Sequence, residues 1–196
     1  MTDIFIWFAS EKYQEYCSES DEINQQLLYF NKLLGKPLVP MEQWKPPTLV
    51  PFFPDNAKSK KSKPIGDFMR AGNPHIVSER AVSGLGEMFH KNGLLYPVSL
   101  NGSAEPHFMF VCSTVLDCLD HEKSKVKRSI VNPNEVTTVL EPVFKQDRVG
   151  GASIFMIPET QDLYYVTQEF KDKVAKLRLT GLMLSKRWFD PSPWYS

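Results

Sequence analysis

Hydrophobic residues run unbroken near the start of the chain, in Ile4-Phe-Ile-Trp-Phe8. A short continuous apolar run suits a strand covered on both faces, so a central or covered first strand is expected here. Between Glu22 and Leu34 the period changes, and Ile23, Leu27, Phe30 and Leu34 make one helical stripe, stopped by Gly35 and Pro37. Further on, Ser78 is placed to cap a helix whose Val82, Leu85 and Phe89 face inward until Asn92-Gly93. Leu94–Leu100 and His107–Cys112 read as strands joined through Asn101-Gly102-Ser103, an Asn-Gly turn lengthened by the loop to Pro106. Lys125–Val131 and Val136–Phe144 flank Asn132-Pro133-Asn134 and predict a second hairpin. Ile154–Ile157 and Leu163–Val166 follow as short strands. Thr167 is expected to cap a last helix with Phe170, Val174 and Leu177 inward. Leu182–Leu184 with Trp188-Phe189 reads as a final strand before a Pro-containing tail.

From Pro37 to Pro64 the pattern breaks down. Prolines at 37, 40, 46, 47, 51 and 54 precede the basic run Lys58–Lys63, and Pro64 closes it. Proline fixes φ and removes a donor, so a long extended connection is expected in place of regular structure. Trp44, Phe52 and Phe53 should lay part of it on the core, leaving the tip at Asp55–Lys63 mobile. Strands outnumber helices, and the fold class that follows is α+β: a mostly antiparallel sheet with a few packed helices and a long Pro-rich connection. The composition shift divides the chain into an N-terminal strand–helix portion with its Pro/Lys-rich connection, residues 1–63, and an α+β core, residues 64–196.

Composition narrows the classes of function. The 196 residues are enough for one substantial core without metal or disulfide support. Lys plus Arg and Asp plus Glu both number 23, so the chain as a whole is neither a basic nucleic-acid binder nor an acidic tail. Cys17, Cys112 and Cys118 are odd in number and show no CxxC spacing, which suits inert thiols. The first residues carry no basic n-region, and no apolar stretch nears membrane-spanning length. A cytoplasmic protein with no membrane partner is expected.

Catalytic chemistry finds little support. His75, His90, His107 and His121 form no paired ligand spacing, so neither a metal nor another cofactor is expected. Gly150-Gly151 and Ser83-Gly-Leu-Gly86 lack the setting of a phosphate cradle, and no serine sits in a GxSxG elbow. Asp117, Asp120 and Glu122 lie beside Lys123, Lys125, Lys127 and Arg128, a pattern of solvated ion pairing more than of acid–base work. The expectation is a protein that is not an enzyme. The runs Lys58–Lys63 and Lys123–Arg128 leave nucleic-acid binding by basic loops as the alternative, in patches without a coherent basic face.

Ile65-Gly-Asp67-Phe68, then Val77-Ser-Glu-Arg80 with Leu85 and Phe89, then Leu95-Tyr-Pro-Val98, follow one another in an order that resembles a known family. Leu116-Asp117 through Ser124, Ile154-Phe155, Val166 to Phe170 and Leu179-Thr-Gly-Leu182 continue it. The family is the eleventh of the immunity proteins of bacterial polymorphic-toxin systems. Met156 and Thr167 stand where the family has a basic residue and a serine, and residues 1–63 carry no matching motif. The resemblance implies a cytoplasmic antitoxin that neutralises a cognate secreted toxin by stoichiometric binding, the toxin being encoded by a neighbouring gene and delivered by contact-dependent or type VI secretion. Its shared motifs have structural explanations: Ser78 as a cap, Glu79 and Arg80 as a local pair, Gly181 in a turn. Toxin contacts are therefore expected elsewhere, at Trp44, Phe52 and Phe53 as aromatic anchors, or at Asp117, Asp120 and Glu122 as an acidic patch mimicking phosphates.

Overall fold

The computed structural model describes residues 2–20, 40–54, 61–71 and 75–188. The helix expected at Glu22–Leu34, most of the Asp55–Lys63 tip and the C-terminal tail lie outside the described residues.

Three helices and twelve strands make up the regular structure of the described chain. The strands are β1 Ile4–Ala9, β2 Tyr16–Ser18, β3 Thr48–Pro51, β4 Phe68–Arg70, β5 His75–Ser78, β6 Gly93–Leu100, β7 His107–Cys112, β8 Lys125–Arg128, β9 Val136–Glu141, β10 Ile154–Ile157, β11 Thr160–Thr167 and β12 Leu182–Ser185. The helices are α1 Glu79–Asn92, the single turn α2 Gln146–Val149, and α3 Gln168–Lys176. One sheet has the order β10-β11-β1-β12, a second β2-β3-β6-β7-β5-β4, and β8 and β9 form a separate ribbon. Pairing is antiparallel throughout the named strands except where β3 meets β6. The α+β class with mainly antiparallel sheets is what the patterning implied.

The first strand is central, between β11 and β12, and its alternation divides the core. Phe5 and Trp7 point into a cluster with Phe68, Phe89, Phe110, Tyr164 and Phe170. Ile4 and Ile6 point the other way, into a cluster with Leu119, Val139, Phe155 and Tyr165. Trp7 is the hub: its ring lies 5.2 Å from Phe68, 5.4 Å from Phe170 and 5.9 Å from Tyr164, and stacks on Phe110 at 6.1 Å. β7 divides in the same way, with Phe110 and Cys112 in the Trp7 cluster and Met109 and Val111 in a third cluster around Tyr96 and Leu49. Strands from both sides of residue 63 thus enter both sheets.

Several expectations need correction. The Pro-rich stretch is not wholly an extended connection: Met41–Gln43 is a 3-10 turn and Thr48–Pro51 is a strand of the second sheet. Its parallel register with β6 is short, Thr48 to Ser99 and Leu49 to Leu100. Proline is tolerated because Pro47 serves as an acceptor, its carbonyl taking the Ser99 N–H at 2.9 Å. Lys63 at the end of the basic run is pinned, its N–H donating to Gln14 Oε1 at 2.9 Å and its ammonium to the Glu11 carbonyl at 2.7 Å. Thr167 sits at the N-cap of α3 with extended backbone, but its side chain makes no capping bond. The first strand of the second hairpin ends at Arg128, short of Val131.

Candidate functional site

Three of the sequence segments singled out above converge on one buried carboxylate. Asp67, just ahead of β4, accepts the Ser78 hydroxyl on Oδ1 at 2.8 Å. Its Oδ2 accepts Arg80 Nη1 at 2.9 Å, the Thr180 N–H at 2.8 Å and the Thr180 hydroxyl at 3.0 Å. Ser78 Oγ also accepts the Ala81 N–H at 3.1 Å, capping α1 as expected. Arg80 does not pair with Glu79; its second nitrogen donates to the carbonyls of Leu177 and Arg178 at 2.7 and 3.1 Å. The carboxylate therefore stands at the positive end of α1 and ties it to the α3–β12 connection. Gly181 completes the junction: its φ is +89° and an added Cβ would meet the Phe68 carbonyl oxygen at 2.1 Å, so only glycine fits.

This junction floors an open cleft of about 550 Å³, whose other wall is the β6–β7 loop with Gly102, Ser103, Glu105 and His107. His107 donates from Nδ1 to the Glu105 carbonyl at 2.9 Å. Its Nε2 is buried without a partner. With both Asp67 oxygens committed to donors of the chain itself, the arrangement acts as a clamp between elements.

The aromatic candidates fall near the third cluster. Trp44 donates from Nε1 to the Pro97 carbonyl at 2.8 Å and meets Tyr96 edge-on at 4.9 Å. Its indole thus pins the loop to β6. Phe52 is 40% exposed and Phe53 half-buried; the Phe52 backbone bonds to Glu15 and to the Gln14 side chain. The acidic candidates attach to a different cluster, through Leu119 and its bridge to Phe144. Asp117 is exposed and pairs with Arg148 at 3.2 Å. Asp120 is committed to its own turn: Oδ1 accepts the N–H groups of Glu122 and Lys123 at 3.3 Å, and Oδ2 pairs with Lys123 at 3.1 Å. The Lys123 bond holds its carboxyl below the usual carboxylate range. Glu122 is exposed. The two candidate groups are not brought together.

The remaining reactive side chains are packed away. Burial pushes the thiols of Cys112 and Cys118 up to about 12, and burial with the nearby Arg70 charge pushes His75 down to about 3. His121 instead meets Glu159 at 2.8 Å. Among the described residues no group of three His, Cys, Asp or Glu side chains is placed to hold a metal, and no helix is long and apolar enough to cross a membrane.

One surface feature escaped the sequence reading. Ile130 and Val131, which the pattern puts at the end of a strand, stand instead at the tip of the β8–β9 ribbon with exposures of 100% and 94%. The signal was present in the polar bracket Ser129 and Asn132-Pro133-Asn134, which marks a turn around them.

Against known proteins, residues 96–187 match the model of the immunity protein family Imm11. The matched stretch begins within β6, takes in β7 and the β8–β9 ribbon and ends beyond β12; the Asp67 and Ser78-Glu79-Arg80 segments precede it. No curated protein matches the chain.

Proposed function

Taking residues 96–187 as a segment of the Imm11 immunity family, we propose that this protein is an antitoxin that binds and neutralises one cognate secreted toxin effector. The family match is the observation that carries the reading. It supports reading the protein as an immunity protein, and the account of its toxin follows from that reading. The toxin is the product of a neighbouring gene, delivered by contact-dependent or type VI secretion, and it is met in the cytoplasm of the producing cell and its kin. Neutralisation is stoichiometric and involves no turnover: the immunity protein occludes the active site of the toxin or blocks a motion it needs. The rigid clamp around Asp67 supports this reading, since its hydrogen-bonding groups are spent on joining elements. An inhibitor held stiff in its binding shape loses little ordering entropy on association.

The test is co-expression with the product of the adjacent gene. Rescue of growth, together with a one-to-one complex that survives affinity capture and gel filtration, is the expected result. A toxic neighbour that the protein neither binds nor relieves would sink the proposal.

A further inference from the structure

The β8–β9 ribbon is built to present a fixed apolar tip. Val139 is fully buried, and its partner Val126 and, at the turn end, Val136 pack against the same cluster, so the ribbon is anchored in the core along its length. Register shifts at Lys125/Val126 and Lys127/Arg128 twist the strand, as bulges do on edges protected from indiscriminate pairing. At its end the turn is held by its own bonds. The Ser129 N–H donates to the Glu135 carbonyl at 2.9 Å, and the Glu135 N–H to the Asn132 carbonyl at 2.9 Å. Ser129 Oγ accepts the N–H groups of Val131 and Asn132 at 3.3 and 3.2 Å. Arg128 Nη1 folds over the turn onto the carbonyls of Pro133 and Asn134.

Single exposed hydrophobic residues are ordinary. Ile130 and Val131 differ in being adjacent, almost fully exposed and braced from below; among the described residues the next most exposed large apolar side chain is Met41, at 44%. Two β-branched side chains with few rotamers, held at a projecting tip, are anchors with little order left to lose on binding. Charge narrows the occupant. With Lys123 and Lys125 paired to Asp120 and Glu141, the tip end of the ribbon keeps Lys127 and Arg128 against Glu135, a local excess of positive charge on a chain that is neutral overall. Two such ribbons repel one another, which disfavours a second copy of this chain. Nucleic acid is disfavoured because the two cations nearest the tip, Lys127 and Arg128, flank apolar side chains and belong to no extended basic face.

We infer that the Ile130-Val131 tip inserts into an apolar, acidic-rimmed pocket on the cognate toxin, and that this ribbon is the recognition element. The inference rests on the immunity reading. It moves the interface away from the acidic patch and toward a surface of opposite sign.

The test compares the full-length protein with its Ile130→Asp/Val131→Asp variant, using the product of the adjacent gene as probe. Because both side chains stand in solvent, the variant should keep its circular dichroism spectrum and thermal midpoint. It should bind the toxin at least about 100-fold more weakly and fail to rescue growth, while Ile130→Leu stays close to wild type. Lys127→Glu should slow association and flatten its salt dependence. If the wild-type protein binds and rescues but the double variant does so equally well, the ribbon proposal is overturned and the immunity reading stands. If the wild-type protein does neither, both fall. Tip-dependent self-association, or salt-sensitive binding of duplex DNA or RNA lost in the variant, would also overturn it.

Discussion

His75 opens β5 with its ring 4.8 Å from Trp7 and 5.1 Å from Tyr164. Burial, aided by the Arg70 charge, lowers its pKa from 6.5 to about 3, so the folded protein keeps it neutral. The unfolded chain takes up a proton near pH 6.5 that the native state refuses until about pH 3. Its contribution is fully present above pH 6.5 and is lost as the pH falls toward 3, by up to about 1.4 kcal/mol per pH unit. A His75→Phe variant keeps an aromatic ring in the slot and removes the titration. Urea midpoints at pH 7, 5.5 and 4.5 should show a shallower acid loss for the variant. Parallel curves would mean that the imidazole is already protonated, or solvated, in the fold. The sequence reveals neither the strand that holds His75 nor its charge state, because the latter depends on Trp7 and Tyr164, far away along the chain. The Asp67 junction was legible in part. Ser78 as a cap follows from local chemistry, whereas the Arg80–Asp67 pair and the Thr180 bonds span the fold and leave no periodic trace.

At the level of elements, the two hairpins and the stripe of α1 are legible because their signals are local, whereas Leu177, expected inward on the last helix, lies just past its end and is 37% exposed. The β6–β7 pair follows from an Asn-Gly turn between apolar runs, and α1 from its cap and stripe. β3 was missed because it has two residues of parallel pairing, prolines around it and one wholly buried side chain, Leu49. That side chain gives the sharpest measure of whether the Pro-rich stretch belongs to the core. Leu49 lies in the cluster with Tyr96, Val98 and Leu100. Leu49→Ala should therefore cost about 2–5 kcal/mol in urea unfolding at constant m-value. A solvated connection would register almost nothing on the same substitution. The β8–β9 ribbon was read as a hairpin but with its tip inside the ladder. Periodicity alone cannot tell a β-branched pair that continues a strand from one that crowns a turn.

The whole molecule depends on how the first strand is used. β1 lies between β11 and β12, with Ile4, Phe5, Ile6 and Trp7 all buried on one face or the other. Burying four such side chains contributes about 6–12 kcal/mol at roughly 1.5–3 each, on the scale of the entire stability of an ordinary domain. Removing the strand would also open the ladder edges of β11 and β12 and empty the space around which Phe68, Phe110, Tyr164 and Phe170 are arranged. The composition shift at Pro64 suggests that residues 64–196 are a unit; the pairing of β1 argues that they cannot hold their shape without the start of the chain. Residues 64–196 produced alone should show no cooperative unfolding transition, bind a hydrophobic dye and aggregate, and under the proposed function they should give no protection even though the whole segment that matches the Imm11 model is present. Near-native aromatic circular dichroism and a sharp transition for the shortened chain would instead make residues 1–63 an accessory lobe. The Trp7 hub would then be an attachment point and not the centre of the fold.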